Sequence, residues 1–330
     1  MAALSKKYKL GLDIGSSSIK LCVPHRGGKP LVLRLPTPEG AVSKGVLHNA
    51  EAVSDFLRQQ LRNKQLVNHQ VVTTLPASTL VLRHIQLPRL KAKDLAEAIH
   101  WEARRVLPFP LEEAQLDWLV QDTVISEEGE MQDILLVAVR DSVIDRYVRA
   151  INEAGLKLVA LDVAPLALGR WLLKTATGAS LIIDIGAETT QIHFFNDTHL
   201  IFSRSASVGG VEATRAIASV SGMSYAEAEA AKIRGEYQEG WLDSWLREVG
   251  REIERSLEYY KANFEQGASG RYERVYLSGG AALTRGIPSV IRQIAGVEVG
   301  FAEFSSRDRT PRHDKIMYNV ALGAGMWGGK

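Results

Sequence analysis

The stretch Leu10-Gly11-Leu12-Asp13-Ile14-Gly15-Ser16-Ser17-Ser18-Ile19-Lys20-Leu21 decides how the chain is read. It returns in altered form as Leu181-Ile182-Ile183-Asp184-Ile185-Gly186-Ala187-Glu188-Thr189-Thr190-Gln191-Ile192. Each copy is an apolar strand, a tight turn rich in Gly and hydroxyl residues, and a second strand. Each carries a carboxylate at the mouth of the turn. One copy alone says little, because Asp and Gly are what hairpin turns use anyway. Two copies, one opening each half of the chain, predict two related domains facing each other across a cleft. A phosphate chain with its metal ion fits between such loops.

The chemistry of the turns supports that expectation. Gly15 and Gly186 let the backbone come close to a ligand, and successive N–H groups in such turns form an anion-binding concavity. Ser16, Ser17, Ser18, Thr189 and Thr190 add hydroxyl donors, and Lys20 is expected to place an ammonium near a β-phosphate. Asp13 and Asp184 do not suit phosphate directly. They make sense with a cation between, and Mg²⁺ fits because it keeps most of its waters and accepts carboxylate oxygens. Asp13, Asp184 and Glu188 are the candidate catalytic groups. A third element, Tyr276-Leu277-Ser278-Gly279-Gly280-Ala281-Ala282-Leu283, is a strand, a Gly-Gly turn and a helix start. Gly279, Gly280 and Ala281 would let a base or ribose lie against the backbone. Gly209, Gly210 and Glu212, where the strands of the second half give way to a helix, join the cofactor-binding set. So do Glu229 and Lys232, which share one helix face and read either as a surface ion pair or as ribose and base contacts.

Length and composition bound the rest. At 330 residues the chain suits two domains better than one. Its 45% hydrophobic and 24% charged content is that of a globular protein with material for two cores. The net charge of +2 favours neither nucleic acid nor an anionic membrane as a bulk partner. The single cysteine, Cys22, excludes a disulfide framework and Cys-based metal clusters, and agrees with a reducing cytosol. Lys6, Lys7 and Lys9 are followed by no apolar stretch of signal-peptide length, and no run approaches the ~18 apolar residues of a membrane helix. The C-terminal Gly-Met-Trp-Gly-Gly-Lys brings no amphipathic helix. The expectation is a cytoplasmic protein without direct membrane insertion, held at any membrane by a partner. His84, His100 and His193 stand at no ligand spacing, and no Walker A loop, CxxC or Ser-His-Asp signature is present.

Periodicity partitions the chain. Residues 1–88 read as the first-lobe core, strands with one helix whose Val53, Phe56, Leu57 and Leu61 recur at helical spacing. Residues 89–155 read as an α/β insert: an amphipathic helix from Lys91 to Val106 stopped by Pro108-Phe109-Pro110, two strands around a charged turn at Glu127 to Glu130, and a helix from Ser142 to Glu153. Residues 156–177 and 312–330 would complete the first lobe. Residues 178–210 and 268–311 read as the second-lobe core, with 211–267 as its helical part. There Trp245, Val249, Ile253, Leu257, Tyr260 and Phe264 mark the core face of a long helix.

The order of these elements resembles the actin, heat-shock chaperone and sugar kinase superfamily. Asp13 to Lys20 resembles its first phosphate motif, Asp184 to Thr190 its second, and Ser278 to Ala282 its adenosine motif. Leu158 to Leu172 and Tyr318 to Met326 resemble its two connecting helices. Leu35-Pro36-Thr37-Pro38-Glu39-Gly40, Thr74-Leu75-Pro76-Ala77-Ser78, Glu102 through Val106-Leu107-Pro108-Phe109-Pro110-Leu111-Glu112, Ala154-Gly155-Leu156 and Ser256-Leu257-Glu258-Tyr259-Tyr260 are similar to the PilM family, the cytoplasmic actin-like proteins of type IV pilus assembly. The resemblance spans essentially the whole chain. It implies an α/β, two-lobed actin-like ATPase fold of duplicated ribonuclease-H-like domains, with the small insert in the first lobe as in the cell-division protein FtsA. It implies ATP and Mg²⁺ as cofactors and docking onto the N-terminal cytoplasmic tail of PilN, an inner-membrane protein. Other pilus assembly components and self-association are further partners it leaves open. It departs at one place: family members often carry an acidic residue two places after the Asp of Asp162-Val163-Ala164-Pro165, and here that place is Ala164. Nucleotide binding is therefore expected more than hydrolysis. The competing readings are an FtsA-like filament-forming protein, which the C-terminus does not suit, and a small-molecule kinase, for which no supported Asp base is apparent.

Overall fold

The computed structural model describes residues 9–24, 30–62, 66, 68–126, 129–173, 177–264, 271–301 and 315–328. Lys6, Lys7, Glu127 and Glu128 of the charged turn, and the stretch 302–314, which the sequence divides between the two lobes, lie outside the described residues.

In the first half the chain forms β1 (Leu10–Ile14), β2 (Ser18–Val23), β3 (Leu31–Pro36), the short pair β4 (Val42–Ser43) and β5 (Val46–Leu47), α1 (Ala50–Arg62), β6 (Gln70–Leu75), β7 (Leu80–Pro88), α2 (Ala92–Val106), β8 (Ala114–Ser126), β9 (Gly129–Arg140), α3 (Asp141–Glu153), β10 (Lys157–Val163) and α4 (Ala164–Leu172). The second half forms β11 (Ala179–Ile185), β12 (Thr190–Asn196), β13 (His199–Ala206), α5 (Gly210–Ser221), α6 (Tyr225–Arg234), α7 (Asp243–Asn263), β14 (Arg274–Ser278), α8 (Ile287–Ala295), β15 (Val299–Phe301) and α9 (Asn319–Gly325).

Duplication is visible in the sheets. The first is ordered β3-β2-β1-β6-β10 and the second β13-β12-β11-β14-β15. In both, the first three strands form an antiparallel meander and the last two run parallel to the first strand. Each sheet buries one face under its own helices. In the first lobe Val53, Leu57 and Leu61 of α1 and Tyr147 and Ile151 of α3 close over Leu12, Ile19 and Val71. In the second, Trp245, Val249, Ile253, Leu257 and Tyr260 of α7 pack on Leu181, Ile183 and Phe194. Phe194 stacks on Tyr260 with centroids 4.1 Å apart.

The third sheet, β7-β9-β8, corrects the insert expected at 89–155. β7, assigned from sequence to the first-lobe core, pairs with β9 along its whole length. Pro76 and the turn Ala77–Thr79 carry the chain out of the first sheet after β6. At the other end, α3 belongs to the first-lobe core and not to the insert. Its period identifies a buried face but not the surface that covers it. The insert thus runs from β7 to β9, with Leu95, Ile99 and Ala103 of α2 packed on Ile85, Ile134 and Leu136. The Leu158–Leu172 segment, expected as one connecting helix, is strand β10 followed by helix α4, because Lys157–Val163 pairs in parallel with β6. Short apolar runs of this kind do not declare their period. On β8, one of the two edge strands of the third sheet, the amides of Trp118 and Thr123 donate to the carboxylates of their own neighbours Asp117 and Asp122, at 2.8 and 2.7 Å.

Between the lobes lie α4 and α9. All seven residues of α9 are buried, and glycine is what admits it. A Cβ on Gly11 of β1 would overlap the carbonyl oxygen of Ala321, and one on Gly323 would overlap the carbonyl oxygen of Ala167 in α4. A Cβ on Gly325 would lie 2.6 Å from Pro24 Cδ. Backbone therefore meets backbone on both sides of α9, and neither side has a flexible side chain to yield. Overpacking typically costs about 1–3 kcal/mol, so Gly323→Ala is expected at or above the top of that range. Urea unfolding of the full chain measures it. A midpoint unchanged from the parent protein would show that α9 has room to move.

Candidate functional site

Each phosphate-loop hairpin closes in the same way. Gly15 N–H donates to Ser18 O at 3.2 Å, and Gly186 N–H donates to Thr189 O at 2.9 Å. The two turns face one cleft of about 510 Å³, lined by Asp13, Gly15, Ser16, Ser17, Ser18 and Lys20 from the first lobe and Asp184, Gly186, Glu188 and Thr189 from the second. Gly210, Glu229, Lys232, Gly279, Gly280 and Ala281 line it as well. The volume lies within the range of small-molecule sites.

The first loop is braced from behind. Thr37 donates its hydroxyl to Gly15 O at 2.6 Å and its amide to Ser17 O at 3.2 Å. Ser16 Oγ accepts from Gly45 N at 3.1 Å, which ties the loop to the β4–β5 turn. The same turn reaches across the cleft, because Lys44 N donates to Glu188 Oε2 at 2.6 Å. Lys20 is not free: strand register places it opposite Asp13, and its Nζ lies 2.9 Å from Asp13 Oδ2.

The second loop is held by α5. Gly210 N donates to Gly186 O at 2.9 Å and Val211 N to Ala187 O at 2.8 Å. Gly209 permits this approach, since a Cβ there would lie 2.6 Å from the carbonyl of Ala187. Gly279 does the same from the other side: its φ is +86° and a Cβ would overlap Ile185 O.

Several sequence-predicted contacts turn out to hold the site together. Thr190 is fully buried, donates to Val208 O at 2.8 Å and does not line the cleft. Glu212 also stays out of the lining and accepts from Gly209 N at 2.9 Å, capping α5. Lys232 reaches the cleft wall, but its Nζ donates to Gly210 O, Thr214 Oγ1 and Glu229 Oε2 at 2.9, 2.8 and 2.6 Å. An ammonium has three donors, so this one is fully used in clipping α6 to the start of α5. Glu229 takes a further bond from the Thr214 hydroxyl. The residue types were recognised from sequence, but a donor that serves a ligand and one that serves a neighbouring turn look alike there.

Residues that sequence reasoning missed also line the cleft, among them Arg34, Thr74, His193 and Tyr225. Tyr225 lies one helical turn before Glu229 on α6, a spacing that the sequence displays. Arg34 is set by the β2–β3 register, where it stands opposite Lys20, and register is not written in a single strand. Burial pushes the His193 imidazole down to about 3, so it is neutral, and its Nδ1 is 2.9 Å from Ser203 Oγ.

Electrostatics single out Asp184. Burial raises its carboxyl above the ordinary value of 3.8, a hydrogen bond with Ser278 lowers it in part, the charge of Asp13 raises it again, and Lys20 lowers it. Two carboxylates thus oppose each other across the loops, a repulsion that a divalent cation would relieve. Among the described residues no group of three or more His, Cys, Asp or Glu could hold a metal by itself. Mg²⁺ bound through one or two carboxylates and substrate phosphates needs no such cage, so the pair fits that ion. Ser278 leads onward, because Asn319 Nδ2 donates to Ser278 Oγ at 3.1 Å and Trp171 Nε1 donates to Asn319 Oδ1 at 3.0 Å. A polar chain therefore joins the cleft to α9 and α4.

The duplicated sheets and paired loops define a two-lobed protein of the actin-like ATPase class. The family described as type IV pilus assembly protein PilM matches residues 11–322, and this chain belongs to that family. Among solved structures, a PilM-PilN type IV pilus biogenesis complex is similar at 28% identity and a TM-score of 0.82, with 98% of each chain covered. The ethanolamine utilization protein EutJ from Carboxydothermus hydrogenoformans follows at 18% identity and TM-score 0.61, covering 99% of this chain and 92% of its own. MreB5 of Spiroplasma citri, solved with ADP, matches at 14% identity and TM-score 0.59, covering 98% and 96%. These last two share the fold.

The raised Asp184 carboxyl has a consequence for the ligand-free protein. Folding disfavours the ionised form, so the penalty grows as pH rises from the unfolded value through the raised folded one, and vanishes as pH falls below the unfolded value, where both states carry the proton. Asp184→Asn should therefore raise the thermal midpoint at neutral pH, and the gain should shrink as pH is lowered toward 3.8. Calorimetric scans across that range check it. A variant less stable than the parent at neutral pH would refute the assignment.

Proposed function

We propose that this chain is a nucleotide-binding scaffold of the type IV pilus assembly platform, holding Mg²⁺-ATP between its two loops and a membrane partner on its first lobe. The observation that carries the nucleotide reading is the pair of identically closed Gly turns facing one cleft, each with its own carboxylate. Backbone N–H groups and the hydroxyls of Ser16, Ser17, Ser18 and Thr189 would bind phosphate oxygens. Asp13 and Asp184 would hold Mg²⁺ through its water shell, and the ion would supply charge neutralisation to the phosphates. Gly279, Gly280 and Ala281 would lie along the nucleoside.

Turnover is expected to be slow. Ala164 lines the cleft where a carboxylate could have oriented a water. The remaining candidate, Glu188, is engaged with Lys44 of the opposite lobe. Calorimetry tests the assignment. Asp13→Ala should weaken the Mg²⁺-dependent part of ATP binding by about 1.5–3 kcal/mol, the worth of a hydrogen bond to a charged group. Equal affinity would remove Asp13 from the site. A turnover well above ~1 s⁻¹, the low end of ordinary enzymes, would show that Glu188 or another group activates water.

The partner is the N-terminal cytoplasmic tail of a PilN-like inner-membrane protein, and the likeness to the PilM-PilN complex supports it. No helix among the described residues is long and apolar enough to cross a membrane, so such a tail would carry the chain to the membrane surface. We place its groove where the insert joins the first lobe. There β10 forms an open sheet edge with Val159 exposed, and strand addition is a common mode of binding extended peptides. A photo-crosslinking residue at Val159 of the full chain should capture a synthetic tail peptide, and one at Val220 on α5 should not. Capture at Val220 alone would move the groove to the second lobe.

A further inference from the structure

We propose that Arg34 is an additional phosphate-binding group of this cleft, gripping the phosphate attached directly to the nucleoside. The inference rests on the nucleotide reading above and adds a residue and a position to it. Strand register sets Asp13 opposite Lys20 and Lys20 opposite Arg34, so the three stand in one row across β1, β2 and β3. Side chains in such a row share a face, and all three line the cleft.

Their charges are not equally satisfied. Lys20 is neutralised by Asp13 at 2.9 Å. Arg34 has no carboxylate partner among the described residues; its Nη1 points at Met317 Sδ, 3.7 Å away. A thioether is a weak acceptor, and a guanidinium carries five donors. The cleft therefore presents a cation with unmet hydrogen-bonding capacity, in a planar form suited to two parallel bonds with phosphate oxygens.

Position along the cleft selects which phosphate. The tip of the first loop lies beyond Ser18, which pairs with Pro36, two residues past Arg34 on β3. In the other direction Met317 stands next to the Gly-Gly turn, with its Cε 3.9 Å from where a Cβ on Gly280 would sit. Arg34 thus lies between the loop that would hold the terminal phosphates and the turn that would hold the nucleoside.

Calorimetry on the full chain in EDTA, with adenosine, AMP and ADP as ligands, tests this without a metal. Arg34→Gln should weaken AMP and ADP by the same factor, about 10- to 100-fold as for a hydrogen bond to a charged group, and leave adenosine unchanged. Arg34→Lys, which keeps the charge but loses the planar fork, should fall between. Parental affinity of Arg34→Gln for both nucleotides overturns the proposal. So does an equal loss for adenosine, which would place Arg34 at the base or in the fold, and so does a loss for ADP with AMP unchanged, which would place it at a later phosphate. If the parent protein binds only with Mg²⁺, the same comparison is made in its presence; failure to bind any adenine nucleotide under either condition removes the nucleotide reading itself, and this inference with it. The ligand-free thermal midpoint of each variant reports its folding separately.

Discussion

The close passage of α9 between β1 and α4 sets the geometry on which the cleft depends. Helices usually keep their distance through side chains, but here Gly11 and Gly323 let main chain meet main chain. A contact of this kind has no slack. It fixes how far β1, which carries Asp13, stands from the connecting helices. Through Asn319 it also reaches Ser278, the register partner of the second-lobe carboxylate Asp184. The helices between the lobes are thus bonded to the strand residue that stands beside Asp184.

Within the cleft, most charge other than that of Arg34 is already paired. The two carboxylates face cations and each other. Lys20 is consumed by Asp13, and Lys232 by its bonds to Gly210, Thr214 and Glu229. The loops are stiffened by bonds from Thr37, Gly45, Gly210 and Val211. Such preorganised donors suit an anion, because little ordering remains to be done when it arrives.

The sequence made the architecture legible where one residue pattern admits one solution. The paired Asp-x-Gly hairpins announced the duplication, and the spacing of Trp245, Val249, Ile253 and Tyr260 announced the core face of α7. It was silent where the outcome depends on what a segment meets. β7 and α3 have the same periods whichever neighbour covers them, and β10 became a strand because β6 offered it an edge. The same limit applied in the site. Thr190, Glu212 and Lys232 were recognised as polar groups near the loops, yet their protons and lone pairs go to neighbouring backbone and side chains. Arg34 was overlooked because its place follows from strand register and from no motif.

The third sheet ends on a long strand, β8, with Leu119, Val120, Val124 and Ile125 exposed. A strand of that composition at an open edge ordinarily invites further strands, from copies of the same chain or from unfolded ones. Asp117 and Asp122 withdraw the invitation, each taking up the amide of the next residue. An incoming strand would have to break two charge-assisted bonds and set its own carbonyl oxygens beside two carboxylates. On the β8 side the insert can thus stay apolar enough to pack its α2 helix while two of its edge residues resist lengthening of the sheet.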